Sequence, residues 1–174
     1  MSTKSAGRKS KLSRIGFILA LILLLSSFAL PAAASPPQDL SFTFDVTYHA
    51  INVSPTYEGI GAWSSTGLFT DAGDIYETEH SSGWDGCWRA VHTTSVLTGA
   101  NPEDTITIRT QIVRVKAEPY CATFSAEGNW VILSATGAYA GLHGQGKAAI
   151  SGSLQPDQVD LDLVVHSELQ GHGH

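Results

Sequence analysis

The sequence predicts an all-β domain of eight or so antiparallel strands, closed into a barrel or doubled into a sandwich, behind an apolar leader. Three observations carry this. Apolar and polar residues alternate with a period of two through stretches rich in Thr, Val, Ile and aromatics. No long window has a helical period, and Gly, Pro, Asn and Asp interrupt the chain at short intervals. So many strands in about 140 residues would leave exposed edges unless the sheet closed or doubled.

The leader comes first. Residues 1–14 are polar and basic, residues 15–30 are apolar, and Pro31 introduces Ala32, Ala33 and Ala34. This is the pattern of a secretory signal peptide, helical in its apolar part and cut after Ala34. The apolar run falls short of the ~20 residues of a spanning helix. A membrane role is expected only if the leader stays uncleaved. Either way the basic flank puts the domain outside the cytoplasm, in the cell envelope or secreted. The expected division is a signal peptide at 1–34, a linker at 35–40, a β-barrel domain at 41–168 and a disordered tail at 169–174.

Charge narrows the partners. Five of the ten basic residues precede the apolar run and all sixteen acidic ones follow it, which leaves the rest of the chain at −11. Such a domain repels phosphate backbones and anionic headgroups, so no nucleic-acid partner is expected. Export would expose Cys87 and Cys121 to an oxidising compartment. A disulfide between Cys87 and Cys121 is therefore expected, and it would add about 3 to 4 kcal/mol on the chain-entropy model.

In the strands, Leu40, Phe42, Phe44, Val46 and Tyr48 alternate with Ser41, Thr43, Asp45, Thr47 and His49. Further segments are expected at 57–69, 73–79, 88–98, 104–116, 120–126, 129–135, 145–154 and 158–167, with Gly128-Asn129 among the breaks. Ile106, Ile108 and Ile112 share one parity while Val113 and Val115 share the other, which predicts a bulge or bend near Ile112.

The stretch from Trp130 to Lys147 is the most specific. Its Gly137-x-Tyr139-x-Gly141-x-x-Gly144-Gln145-x-Lys147 portion resembles the allene oxide cyclase and dirigent barrel superfamily, the cyclases above all. The resemblance implies an antiparallel eight-stranded barrel, often a homo-oligomer, with Gly137, Tyr139, Gly141 and Gly144 as structural turn residues. Read as residues alone, the glycines suit positive φ or close backbone approach and Tyr139 can pack over the turn as a plug. The catalytic residues of the plant cyclases lie outside this motif and find no residue-by-residue match.

Other chemistry is sparse. The seven histidines show no His-x-x-x-His or His-Glu-x-x-His spacing, and no metal or other cofactor is expected. No Gly-x-Ser-x-Gly elbow marks a serine nucleophile, and no catalytic residue is assigned. Asp74, Glu77 and Glu79 read as a solvated strand face, with cation binding or acid–base work as the alternative. Asp157, Asp160 and Asp162 read as another solvated face. Asn52-Val53-Ser54 is a glycosylation sequon followed by Pro55. Trp84, Trp88 and Tyr120 flank the cysteines, so a bridge would gather them, with Trp63 as a fourth member. They read either as core or as a barrel mouth for a small apolar ligand.

Three readings follow. The first is a non-catalytic barrel that binds a small apolar ligand or serves as a surface interaction module. The second is a dirigent- or cyclase-like isomerase that steers a reactive apolar intermediate, and the third a structural envelope protein. The lumen discriminates: packed solid it favours the third, empty and apolar the first, and apolar with a buried Glu, Asp or Tyr the second.

Overall fold

The computed structural model describes residues 36–49, 56–84, 88–117, 122–156 and 161–174. They form eight strands: β1 (Gln38–Tyr48), β2 (Thr56–Gly67), β3 (Asp71–Trp84), β4 (Trp88–Thr98), β5 (Thr105–Ala117), β6 (Thr123–Ala135), β7 (Gly144–Pro156) and β8 (Leu161–Gly173). Each pairs antiparallel with the next in sequence, and β8 returns to pair with β1 from Gln38↔Gly173 to Tyr48↔Leu163. The sheet is a closed, up-and-down barrel. Closure removes the edges that a strand-rich chain must otherwise protect.

Alternation fills the barrel. On β1, Leu40, Phe42, Phe44, Val46 and Tyr48 point inward and are buried, while Ser41, Thr43, Asp45 and Thr47 point outward. The outer faces of β5 (Arg109, Gln111) and β6 (Ser125, Glu127, Asn129) are polar too. This is the reverse of a lipid-facing barrel, which carries its apolar band outside.

The bend expected near Ile112 is a bulge. Pairing with β6 shifts between Ile112 and Arg114. Val113 is left unpaired there and 61% exposed. A second shift, between Thr107 and Ile108, leaves Leu133 of β6 outside the ladder and half exposed. The bulges explain why two large aliphatic side chains point to solvent.

Three expectations are corrected. Residues 120–126 and 129–135 are not two strands broken at Gly128-Asn129, because β6 runs unbroken from Thr123 to Ala135. Gly128 lies opposite Ile112 at the bulge, a usual place for a strand glycine. The tail at 169–174 is strand through Gly173, with Leu169 buried and Gly171 paired to Leu40 and Gly146. Its Gly and His content suggested disorder, yet partners on both sides hold it. β1 likewise begins at Gln38, inside the expected linker. The leader, Cys87, Tyr120, Cys121, the sequon, Asp157 and Asp160 lie outside the described residues.

The turn after β6 is a 3-10 turn at Gly137–Tyr139. Gly137 (φ 58) and Gly141 (φ 86) occupy the left-handed region. Tyr139 packs against Phe69 and Trp63, with ring centroids 5.5 and 6.2 Å apart. Its hydroxyl donates to Asp71, which ties the turn to the start of β3.

Candidate functional site

The lumen has two unlike halves. Near the start of β1 it is filled by rings. Phe42 meets Trp130 edge-on at 5.6 Å and Trp63 at 6.2 Å, and Phe69 and Tyr139 cap them. Both indoles are anchored by N–H donation to backbone oxygen, Trp63 to Thr98 at 3.0 Å and Trp130 to Gln170 at 3.3 Å. This half is core.

Toward the other end the lumen turns polar. Ile75, Glu77 and Glu79 share one parity on β3, and all three point inward and are buried. Asp74 and Tyr76, of the opposite parity, are exposed. The solvated-face reading therefore holds for Asp74 and fails for Glu77 and Glu79. Closure of the barrel decides the direction, because Ile75 must go inside and takes its two parity partners with it.

The register explains how Glu77 is held. Tyr48 pairs with Gly59, Gly59 with Glu77, and Glu77 with Ser95, so these residues form one row across four strands. The Tyr48 ring lies over Gly59 and its hydroxyl donates to Glu77 Oε1. Ser95 Oγ donates to Oε2. A Cβ at position 59 would come within 2.9 Å of Tyr48 Cδ1 and 2.5 Å of Val46 Cγ1, so this crossing requires glycine. Two O–H donors favour the ionised carboxylate and oppose the effect of burial, which on balance raises the Glu77 pKa.

Glu79 has no such support. It is 4% exposed, and its Oε1 has no hydrogen-bond partner among the described residues. Burial first, and the neighbouring Glu77 charge second, push it from 4.5 up to about 8. Glu79 thus holds its proton at neutral pH. Burial and the two carboxylates also raise Tyr48 well above its usual value, which keeps it a hydroxyl donor.

Glu77 and Glu79 face a cavity that Thr93, Thr110 and Ser167 also line, with Phe44, Ile112, Val115, Phe124 and Ile150 as apolar wall. About 20 Å³ is open to the centre of a water-sized group, room for about one. No Lys, Arg or His is among the described lining residues. The arrangement can exchange a proton at Glu79, or hold a small polar or cationic group against it.

The aromatics expected at a barrel mouth are divided. Trp63 pairs with Gly73 and belongs to the packed half. Trp84 is eleven residues farther along β3, roughly 36 Å at about 3.3 Å per residue. Trp63 therefore does not join the others. Trp84 and Trp88 are cross-strand partners at the tip of the β3–β4 hairpin.

Histidines gather outside the barrel, on the closing seam. His172 pairs with Asp39 at 3.2 Å, His166 with Asp45 at 2.7 Å, and His49 with Asp162 at 3.1 Å. The Asp45 hydrogen bond raises the His166 pKa. No cluster of three or more potential metal ligands occurs among the described residues.

No protein-family model, curated protein or solved structure matches the chain.

Proposed function

We propose that this is an exported, non-catalytic barrel that takes a small, largely apolar ligand into the Tyr48–Glu79 half of its lumen. One observation carries the reading: a buried carboxyl with one oxygen unpartnered among the described residues, Glu79, faces a cavity whose other described lining is Glu77 and apolar or hydroxyl-bearing side chains. A purely structural barrel has no use for such a group, since burying it without a donor destabilises the fold. Eight-stranded barrels have room for side chains plus one small ligand. The division into packed and open halves follows that size. The ligand's polar atom sits at Glu79 and its apolar part lies among Val115, Phe124 and Ile150. The resemblance of the Gly137–Lys147 stretch to the allene oxide cyclase and dirigent superfamily supports the same architecture.

A second reading has its own observation. Glu79 is a neutral acid at pH 7 within electrostatic reach of the Tyr48 phenol, groups suited to proton transfer in an isomerase or cyclase that excludes water.

Titration with a small neutral ligand, methanol, followed by chemical-shift changes of the lumenal methyl groups, tests the first reading. Saturable binding is expected, and Ser167→Leu, which fills the cavity, should weaken it at least tenfold while the barrel stays folded. Recovery of a small apolar ligand chemically unchanged after long incubation separates binding from turnover. No saturable binding would leave the structural reading in front.

A further inference from the structure

We propose that the polar group this lumen selects is a small ammonium, the head of a short primary alkylamine, seated against Glu79 Oε1 with Glu77 behind it. The proposal rests on the lumenal-binding reading and names the ligand class for that site.

Acceptor capacity argues for it. Among the described residues, every ionisable group lining the cavity is a carboxyl or a phenol: Glu77 and Glu79 from β3 and Tyr48 from β1. Tyr57, opposite Glu79 on β2, is a further phenol. β4, β5 and β8 contribute the hydroxyls of Thr93, Thr110 and Ser167, and β6 and β7 contribute Phe124, Ala126 and Ile150. The donors Tyr48 and Ser95 are already committed to Glu77. What remains is an unpartnered carboxyl oxygen ringed by hydroxyls that can accept. A primary ammonium brings three N–H donors and no acceptor. It also supplies the positive charge that two buried carboxylates lack.

Size agrees as well. The room at Glu79 is about 20 Å³, enough for one water-sized group. A primary ammonium fits that room, whereas a guanidinium or a quaternary ammonium is too large. Apolar Val115, Phe124 and Ile150 then lie against the single methyl group of methylammonium.

The proton balance is explicit. In the empty barrel Glu79 is a neutral acid at pH 7. As the ammonium enters, the Glu79 O–H gives its proton to solvent and the carboxylate pairs with the ammonium, so one cation replaces one proton. Binding should release close to one proton at pH 7. Affinity should rise about tenfold per pH unit from pH 6 toward 8 and then level off.

The experiment compares methylammonium with methanol by calorimetry, at pH 6, 7 and 8 and in two buffers of different ionisation enthalpy. The parent should prefer the amine at least tenfold at pH 8 and release a proton. Glu79→Gln should lose the preference and the proton release, with an unchanged far-UV circular dichroism spectrum showing the barrel intact. Equal binding of amine and alcohol, or an amine affinity that does not change with pH, overturns the head-group assignment and leaves the lumenal reading standing. If neither ligand binds, both readings fail together.

Discussion

The two halves of the lumen obey the same alternation and come out with opposite chemistry. Near the start of β1, inward positions carry Phe42, Trp63 and Trp130, whose N–H groups are satisfied by backbone oxygens. At the other end they carry Tyr48, Glu77 and Glu79, and one carboxyl oxygen has no partner. A barrel can thus concentrate its stability at one end and keep a group at the other that lowers it. Such a group is a sign of function, because packing alone would have replaced it.

Substitutions in the two halves should differ in sign. Trp130→Ala empties the packed half and should cost about 3 to 5 kcal/mol, read as a lower midpoint in denaturant with an unchanged slope. Glu79→Gln should do the opposite. Folding raises the Glu79 pKa from 4.5 to about 8, so the folded state holds a proton that the unfolded chain releases. Stability is intact below 4.5 and declines about 1.4 kcal/mol per pH unit as pH rises toward 8. Glutamine carries no such proton. The variant should be about 3 kcal/mol more stable than the parent at pH 7 and no more stable at pH 4. Parallel pH–stability curves for the two proteins would erase the distinction between the halves.

The turn below the packed half gives the smallest effect. A Cβ at Gly141 meets no atom within 4 Å, so Gly141→Val should chiefly report the strain of positive φ, about 1 to 3 kcal/mol. Gly137→Val should cost more, since its Cβ would lie 1.9 Å from Asp104 Oδ1, the oxygen that accepts from the Ala138 N–H. Equal melting temperatures for the two variants would show that the Asp104 contact contributes nothing.

What the sequence disclosed follows the same division. Period-two alternation, the bulge near Ile112 and the glycine turn were legible because each is local, and a residue's neighbours along the chain decide it. The packed end was legible in part: Trp63 reads as large and apolar, but its partners Phe42 and Tyr139 come from β1 and from the turn after β6. The inward direction of Glu77 and Glu79 was not legible. The parity that puts them with Ile75 is visible, but acidic side chains default to solvent, and only closure of β8 on β1 assigns that parity to the lumen. Nor did the sequence reveal the row from Tyr48 across Gly59 to Glu77, because register across β1, β2 and β3 depends on the whole barrel. Gly59 was the one available signal, a glycine inside a strand where a ring crosses.

The central claim is that the open half keeps a protonated carboxyl at neutral pH, and carbon-13 NMR of glutamate side-chain carboxyls tests it most directly. The parent should show one carboxyl resonance titrating near pH 8, absent from Glu79→Gln. If every glutamate carboxyl titrates between about 4 and 5, Glu79 is solvated rather than buried against Glu77, and the account of the lumen is wrong.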